Sequence, residues 1–436
     1  MRDGGKIAAA IVVLEDILER RQPVKEAVRD WGKRSRFAGA RDRAWISGLV
    51  LDALRRKNSI EHSMEATGPR ALAIGALKHA WGWDVRKIEE AFKDEHAPSA
   101  MTGKEREGIL LAPDPAAPAH VRGDYPEWLE PHMKRAFGED AVAEAMAMAM
   151  RAPVDLRINT LKSDAEKAGR ALESVHAKQI PELVNGFRIP APDAIDRGES
   201  VEAIPAYSKG WVEVQDMGSQ IAAAASCAKS GEQVLDYCAG GGGKTIAMAA
   251  MMQNHGQIFS HDIDGRRLSA LIPRMQRAGI RNVQLRHPKE NASLDDLSHG
   301  MDLVMIDAPC TGVGTWRRKP DSKWRVSEGA LRKRMQDQAA ILRTACNYVK
   351  PGGGRLVYVT CSFLMEENED QIASFLIDRD DFIMDDAAEM AMRSGQLTDA
   401  GAKLVRRCRR PDGSMRLTPR NAGSDGFFVA VMRRVG

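Results

Sequence analysis

The sequence has few cysteines, and none of them forms a Cys-x-x-Cys pair. Six cysteines occur among 436 residues, at positions 227, 238, 310, 346, 361 and 408. Structural zinc sites use closely spaced thiolates, so these spacings argue against a metal site. A long chain without a secretory signal usually keeps its thiols reduced. We therefore expect no metal ion, and free thiols that act one at a time, as nucleophiles or as small core residues.

The sequence also lacks an apolar run long enough to cross a membrane, which takes about 20 residues. The longest uncharged stretch near the middle of the chain, residues 245–261, is broken by Gln253 and Asn254. The apolar run after the N-terminus is interrupted by Glu15 and Asp16, and no small-residue cleavage site follows it. We expect a cytoplasmic protein without membrane contact.

The chain has little excess of either charge, since its net charge is +4, but basic residues are concentrated in three segments. Residues 1–60 contain 14 basic and eight acidic residues, residues 312–334 contain eight and two, and residues 403–420 contain seven and one. Such clusters indicate a polyanionic partner, whereas a solvated surface is the alternative for any one of them. The hydrophobic share of 43% is ordinary for a globular protein.

Periodicity divides the chain into a helical part and an α/β part. Residues 1–110 show apolar residues at helical spacing, and the Pro/Ala-rich stretch 111–118 reads as a linker. Residues 154–159 alternate as a half-buried strand does, and a helix is predicted at 163–174. Short apolar runs then alternate with helical stretches, which predicts a mostly parallel sheet. These runs lie at residues 234–237, 258–260, 283–285, 303–306 and 356–359, with a last strand at 427–432.

A turn with four consecutive glycines follows the first of these strands, from Cys238 to Thr245. Glycines at such a turn let the backbone approach a ligand closely, at the sheet edge where ligands bind. A phosphate-binding P-loop fits Gly243-Lys244-Thr245, but its first glycine would fall at Cys238. A nucleoside cofactor site is the other interpretation. It is favoured by Asp262, about 20 residues on, because an acid there can bind ribose hydroxyls.

Two further cysteines follow predicted strands at the same sheet edge. Cys310 ends the segment Asp307-Ala-Pro-Cys310, and Cys361 lies in Thr360-Cys-Ser362. One such cysteine is usually a small buried residue, but two at one edge, one of them near an acid, indicate chemistry.

Together these segments resemble the RsmB/Nop/Sun family of RNA 5-methylcytosine methyltransferases. The resemblance covers about residues 120–436, and residues 1–65 are similar to the NusB-like domain of the RsmB branch. It rests on Asp236-x-Cys-Ala-x-x-Gly-Gly-Lys-Thr245, Asp262-Ile-Asp-x-x-Arg-Leu268, Asp307-Ala-Pro-Cys310, Arg318-Lys-Pro-Asp-Ser-Lys-Trp324, Thr360-Cys-Ser362, Glu366-Glu-Asn368 and Asp425-Gly-Phe-Phe428.

The resemblance implies a class I, Rossmann-like methyltransferase domain of α/β type at residues 206–436. An all-α NusB-like domain at 1–112 and a linker with a small RRM-like α+β segment at 113–205 would precede it. The implied activity is 5-methylcytosine formation in RNA with S-adenosylmethionine, by a monomer. The RNA would be small-subunit rRNA, with tRNA as the alternative. The rivals from other classes are a P-loop ATPase and a non-catalytic RNA-binding protein.

The residues themselves do not decide which cysteine attacks carbon 6 of the base. DNA 5-methylcytosine enzymes use a Pro-Cys, which would select Cys310. The RNA family uses the Thr-Cys, which implies that Cys361 is the nucleophile and that Cys310 assists release. Asp307 is expected near ring nitrogen 3. Lys323 is a candidate for orienting Asp307 or the base, with a solvated basic loop as the alternative.

The resemblance also implies where cofactor and RNA bind. Trp316 and Trp324 are candidates for base stacking or for the core. Basic residues around them are candidates for phosphate contacts: Arg317, Arg318, Lys319 and Arg325. Lys244 is expected to position the active site. The cofactor would contact Cys238, Ala239, Gly240, Gly241, Gly242, Gly243, Lys244, Asp262 and Asp307.

This chain departs from the family pattern in two places. The family usually has Ala-Pro where this chain has Gly240-Gly241. It often has an acid directly after the third strand, where this chain has none until Glu290. Glu290 or Asn291 is a candidate substitute for that acid.

Overall fold

The computed structural model describes residues 1–192, 201–288 and 294–436. The chain forms two compact units. The helical unit contains Met1–Ala152 and Thr315–Ser327, and the sheet unit contains Pro153–Ala191, Glu328–Gly436 and the described part of Glu199–Gly314. Within the described parts of the chain, no helix is long and apolar enough to span a bilayer.

The helices follow one another in chain order as α1 (Asp3–Leu18), α2 (Val24–Arg34), α3 (Ala40–Arg55), α4 (Lys57–Ser63), α5 (Pro69–His79), α6 (Val85–Ala91), α7 (Gly103–Gly108), α8 (Ala119–Arg122), α9 (Glu130–Phe137), α10 (Ala141–Ala149), α11 (Ala165–Ala171), α12 (Pro205–Ser208), α13 (Met217–Ala225), α14 (Gly243–Met251), α15 (Gly265–Ser269), α16 (Leu271–Ala278), α17 (Pro320–Lys323), α18 (Glu328–Ala345), α19 (Glu369–Asp378), α20 (Ala387–Arg393), α21 (Asp399–Cys408) and α22 (Pro419–Ala422).

The strands are β1 (Val154–Ile158), β2 (Lys178–Gln179), β3 (Gly186–Ile189), β4 (Val212–Val214), β5 (Gln233–Asp236), β6 (Gln257–His261), β7 (Val283–Arg286), β8 (Leu303–Asp307), β9 (Arg355–Thr360), β10 (Phe382–Asp385), β11 (Met415–Leu417) and β12 (Phe427–Arg434).

The helical unit is built on α1, α3 and α5, which lie within residues 1–110, where the spacing of apolar residues predicts helices. Their apolar faces share one core, which includes Ile7, Leu14, Leu49 and Leu72, all fully buried. Helices continue past the predicted boundary at residue 112 as far as α10. The domain boundaries at 112 and 205 stay predictions.

A small antiparallel sheet in the sheet unit has the strand order β2-β3-β1-β4. The alternating pattern of β1 predicts one solvated face, but its polar residues are buried. Asp155 is 1% exposed and accepts two bonds from Arg188, at 2.6 and 2.8 Å. Arg157 is 8% exposed and donates to Gln215 at 2.7 Å. Both faces of β1 are therefore covered, and its polar face is held by the Asp155–Arg188 ion pair and by hydrogen bonds, although Arg157 Nη2 has no partner among the described residues.

The large sheet has the strand order β10-β12-β9-β8-β5-β6-β7, with β11 paired to β12. Strands β7, β6, β5, β8 and β9 are parallel, and β12 runs antiparallel between β9 and β10. The predicted parallel sheet and all six predicted strands are thus confirmed. After β5 the chain winds first to one side through β6 and β7, and then to the other through β8 and β9. The carboxyl ends of β5 and β8 consequently flank a topological switch point, where such sheets bind ligands.

Candidate active site

The glycine-rich turn lies at this switch point, between β5 and α14. Gly240 and Gly242 have positive φ angles, 54° and 79°, which side chains disfavour. A Cβ atom added to Gly242 would lie 2.0 Å from a methyl carbon of Leu271, and one added to Gly240 would lie 2.6 Å from the Arg267 guanidinium. Position 242 therefore requires glycine, whereas a side chain at 240 would displace the end of the flexible Arg267 side chain and a Cβ on Gly243 would meet nothing within 4 Å.

Asp262, at the end of β6, closes this turn. The main-chain N–H of Gly240 donates to Asp262 Oδ2 at 2.8 Å, and that of Asp264 donates to Oδ1 at 2.8 Å. Arg267 lies 3.6 Å from Oδ2. Each carboxylate oxygen keeps a further lone pair, so this anchoring role is compatible with the predicted contact to a ribose.

Lys244 and Asp307 form an ion pair across the switch point. The Lys244 Nζ lies 2.7 Å from Asp307 Oδ2. The Lys244 side chain is 4% exposed, but that of Asp307 is 40% exposed. The lysine is thus an internal support, and the carboxylate at the end of β8 is the partner that a substrate can reach.

Asp236, at the end of β5, is a fully buried acid beside this pair. Thr245 Oγ1 donates to its Oδ2 at 2.6 Å, whereas Oδ1 is one of the buried atoms that have no partner among the described residues. Burial raises the pKa of Asp236 to about 7, helped by the charges of Asp307 and Asp262 and opposed by the Thr245 hydrogen bond. A narrow glycine turn with an orphaned acceptor beneath it fits a polar cofactor such as S-adenosylmethionine.

Cys310 and Cys361 meet at the ends of β8 and β9. Their Sγ atoms are 3.4 Å apart, within reach of a sulfur hydrogen bond. The bond to Cys361 and burial raise the pKa of the Cys310 thiol well above its usual range. Cys310 therefore stays protonated at neutral pH and can donate to Cys361. Burial likewise raises the pKa of Cys238 in the glycine turn, so Cys238 is a neutral thiol.

Lys323 is a buried residue of the helical unit. It ends α17 in the helical unit, where it is 1% exposed and its Nζ donates to the Arg55 carbonyl oxygen at 3.0 Å. Burial lowers the pKa of Lys323 to about 8, although the Asp124 carboxylate opposes that shift. In the sheet unit, the side chain that pairs with Asp307 is Lys244. The alternative of a solvated basic loop does not describe Lys323, which is buried and lies 5.6 and 5.1 Å from the ring centres of Trp316 and Trp324. Its role in orienting Asp307 or the base stays a prediction.

The tryptophans and Arg317 near Lys323 are part of the helical unit's interior. Trp316 is 2% exposed and Arg317 is 6% exposed. The Trp324 indole N–H donates to the Leu54 carbonyl oxygen at 2.7 Å. These positions favour the core alternative over base stacking. Arg318 is partly exposed, and Lys319 and Arg325 are exposed, so these three remain candidates for phosphate contacts, although Arg325 also pairs with Asp321 at 2.7 Å.

Two parts of the site were not predicted. Thr245 lies in the quoted glycine motif, yet only the folded chain shows that it binds Asp236. Glu367 and Asn368 were quoted as a motif without a role. The candidate substitutes for the missing acid, Glu290 and Asn291, lie outside the described residues.

The sheet order, the cradle at the switch point and the paired thiols define a Rossmann-like, class I methyltransferase. Comparisons with known proteins agree. The family model "16S rRNA methyltransferase RsmB/F" matches residues 225–433. A Bacillus subtilis protein called probable ribosomal RNA small subunit methyltransferase B is 30% identical over 339 residues, which are 76% of this chain and 72% of that protein. The chain belongs to the RsmB/F family of RNA methyltransferases.

Solved structures share the fold. The crystal structure of PH0851 has a TM-score of 0.71 and 24% identity, and the match covers 99% of each chain. NSun6 from Pyrococcus horikoshii, solved with SFG, has a TM-score of 0.58 and 20% identity over 71% of this chain and 98% of that one. Like other class I methyltransferases, this protein depends on S-adenosylmethionine.

Proposed function

We propose that the protein methylates carbon 5 of a cytosine in RNA through a covalent adduct with Cys361. The observation that carries this proposal is the 3.4 Å separation of the Cys310 and Cys361 sulfurs at the ends of neighbouring strands. Carbon 5 of cytosine is a poor nucleophile, and a thiolate that adds to carbon 6 converts the ring into a reactive enamine. S-adenosylmethionine, when bound, supplies the methyl group.

Attack by Cys361 forms the sulfur–carbon bond at carbon 6 and pushes an electron pair into the ring, towards nitrogen 3. The proton that the Cys361 thiol gives up, carried by solvent, binds nitrogen 3, and the Asp307 carboxylate accepts a hydrogen bond from that N–H. Lys244, 2.7 Å from Oδ2, orients this carboxylate. A carboxylate so placed favours the protonated nitrogen 3, and that proton neutralises the negative charge that attack brings into the ring.

Release breaks the bond that attack formed. Cys310 gives its thiol proton to the departing Cys361 sulfur, 3.4 Å away, and takes the proton from carbon 5, while nitrogen 3 returns its proton to solvent. The electron pair of that C–H bond forms the 5,6 double bond, and the pair of the sulfur–carbon bond returns to Cys361. The raised pKa of Cys310 makes its thiolate a strong base for this step.

The names of the relatives support small-subunit 16S rRNA as the substrate, with tRNA as the alternative. The target base has to leave any stack to reach the sulfurs. We infer that a monomer carries out the reaction, because every side chain named in it comes from one chain. A cytoplasmic location follows from an RNA substrate of this kind.

The experiment that tests the covalent mechanism compares two cysteine variants. Cys361→Ala should abolish methylation and every denaturant-resistant protein–RNA band. Cys310→Ala should permit attack and methyl transfer but slow release, so such a band should accumulate with cofactor present. A band with Cys361→Ala and none with Cys310→Ala would reverse the roles, and full activity of both variants would refute covalent catalysis by these thiols.

The substrate is tested by bisulfite sequencing of RNA from a strain that lacks the protein. A 16S rRNA cytosine that loses its methyl group, and regains it with the wild-type chain but not with Cys361→Ala, is the expected result. A lost methyl group in tRNA alone would select the alternative.

A further inference from the structure

Glu367 and Asn368 are two adjacent, fully buried polar residues behind the cysteines. Both are 0% exposed, and they stand between β9 and α19. Burying a carboxyl group and an amide costs free energy unless their polar atoms are bonded. The reaction described above uses neither residue. What they bind therefore indicates what they do.

Glu367 binds the loop that carries Cys310. Its Oε1 accepts the main-chain N–H of Thr311 at 2.7 Å, and its Oε2 accepts the Thr311 hydroxyl at 2.6 Å. The side chain of Gln338 donates to Glu367 at 3.2 Å and to the Pro309 carbonyl oxygen at 3.0 Å. The residues on both sides of Cys310 are thus tied to one carboxyl group.

Asn368 binds the loop that carries Cys361 in the same way. The Thr360 hydroxyl donates to Asn368 Oδ1 at 2.6 Å, and Asn368 Nδ2 donates to the Ser362 carbonyl oxygen at 3.0 Å. The residues on both sides of Cys361 are tied to one amide. All seven residues that take part in these bonds are in the sheet unit.

We propose that Glu367 and Asn368 form a two-residue clamp that sets the spacing of the two sulfurs, Glu367 positioning Cys310 and Asn368 positioning Cys361. Because the two residues are neighbours in the chain, the loops cannot shift independently while both sets of bonds persist. A misplacement of about 1 Å can cost a factor of roughly 100 in rate, so such a clamp has a kinetic effect without touching the substrate. The inference rests on the proposed roles of the cysteines.

If the clamp exists, a change at Glu367 should slow release and a change at Asn368 should slow attack. A general loosening of the structure would slow both steps in either variant. Glu367→Gln should slow release, so the denaturant-resistant adduct should accumulate about tenfold above its wild-type level. In a Cys310→Ala background, Asn368→Ala should lower the initial rate of adduct formation about tenfold, and Glu367→Gln should leave that rate within about twofold. The exposed Asp378→Asn, a matched charge removal on α19, should change neither quantity.

A second readout needs no RNA. Diamide oxidises the two thiols to a disulfide, taking two electrons and two protons, and the rate of this reaction reports how often the sulfurs meet. Each clamp variant should slow disulfide formation about tenfold relative to Asp378→Asn, whereas the calorimetric affinity for S-adenosylmethionine should be unchanged. Thr311→Val and Asn368→Asp, which remove single bonds, provide the test if the first variants do not fold.

The results separate two failures. If Cys310→Ala traps no adduct, the proposed mechanism is wrong, and diamide still tests the spacing. If Cys310→Ala traps adduct but the clamp variants affect attack and release equally, or slow neither reaction, the clamp is refuted and the mechanism stands.

Discussion

Lys244 and Lys323 are both buried lysines, but they have different partners. Lys244, in the sheet unit, pairs with the Asp307 carboxylate at 2.7 Å. Lys323, in the helical unit, donates to the carbonyl oxygen of Arg55 at 3.0 Å and lies over the rings of Trp316 and Trp324, 5.6 and 5.1 Å from their centres. Both lysines belong to motifs of the same family resemblance.

The difference shows that the partner, rather than burial, decides what a buried ammonium group can do. Lys244 acts on a carboxylate that is 40% exposed, so its charge influences a group that a substrate can reach. Lys323 acts on a main-chain carbonyl group that does not titrate. Burial of the Lys323 ammonium group therefore affects the stability of the protein, and it does not change a group that a substrate can reach.

Replacing each lysine by methionine, which is similar in length, is the most direct way to break this comparison. Lys244→Met should lower the methylation rate by a factor on the order of 100 to 1000, the usual loss when one preorganised charge partner is removed. Lys323→Met should stay within about twofold at an equal folded fraction, since its Nζ donates to a main-chain carbonyl oxygen of the helical unit. Single-turnover methylation of RNA measures both. Equal losses would mean that both lysines serve the chemistry.

The free energy of unfolding should change with pH because Lys323 titrates at a different pH in the folded and unfolded states. The pKa of Lys323 is about 8 in the folded state, against 10.5 for an ordinary lysine. Between these values the unfolded chain binds more protons than the folded chain, so this group makes stability rise with pH. The rise should amount to roughly 3 kcal/mol between pH 8 and 10.5, by the free energy per pKa unit. Urea unfolding of wild type and Lys323→Met measures it as the difference between the two proteins.

Asp124 offers a control for that measurement, because its carboxylate raises the pKa of Lys323. In Asp124→Asn the rise in stability should begin at a lower pH than in wild type. If the difference in unfolding free energy between wild type and Lys323→Met does not change with pH, the buried amine keeps an ordinary pKa.

In the sheet unit, which contains Lys244, a change at Asp262 should affect cofactor binding but not RNA binding. Asp262→Ala should weaken the affinity for S-adenosylmethionine by roughly 1–3 kcal/mol, the cost of leaving buried N–H groups unpaired. It should leave RNA affinity unchanged. Calorimetry with Asp264→Ala is the control, since Asp264 caps α15 by accepting from Arg266 N. A loss of cofactor affinity in Asp264→Ala alone would move the role to that residue.

The smallest expected effect is on the salt dependence of RNA binding. It compares two basic segments of equal net charge, residues 312–334, which contain Lys323, and residues 403–420. In the first segment Arg332 pairs with Glu328 at 3.3 Å and Lys333 with Asp337 at 2.7 Å. In the second, Lys403 and Arg406 project from α21 and are exposed.

A charge already paired releases fewer counterions from RNA. Substituting Gln at both 403 and 406 should therefore reduce the slope of log affinity against log salt by about two contacts. Substituting Gln at both 332 and 333 should reduce it less. Equal changes would mean that surface ion pairs do not restrict these side chains.

Regular elements with short apolar runs were predictable from the sequence. The five runs that predict parallel strands became β5, β6, β7, β8 and β9. In four of them the apolar residues are buried, as expected of a sheet that is covered on both faces, whereas the edge strand β7 is only partly buried. The short strands β10 and β11 have only four and three residues and were not predicted. They depend on the antiparallel partner β12 rather than on a pattern of their own.

The chemistry of the site was likewise determined by the sequence as far as residue types at strand ends allow. Parallel strands bring their carboxyl ends to one edge, so Cys310, Cys361 and Asp307 had to lie near one another. The ion pair that supports Asp307 joins residues 63 positions apart in the chain, and only the tertiary structure shows that Lys244 makes it. The same holds for the bonds from Glu367 to Thr311, because a local pattern carries no information about partners that folding brings together from distant segments.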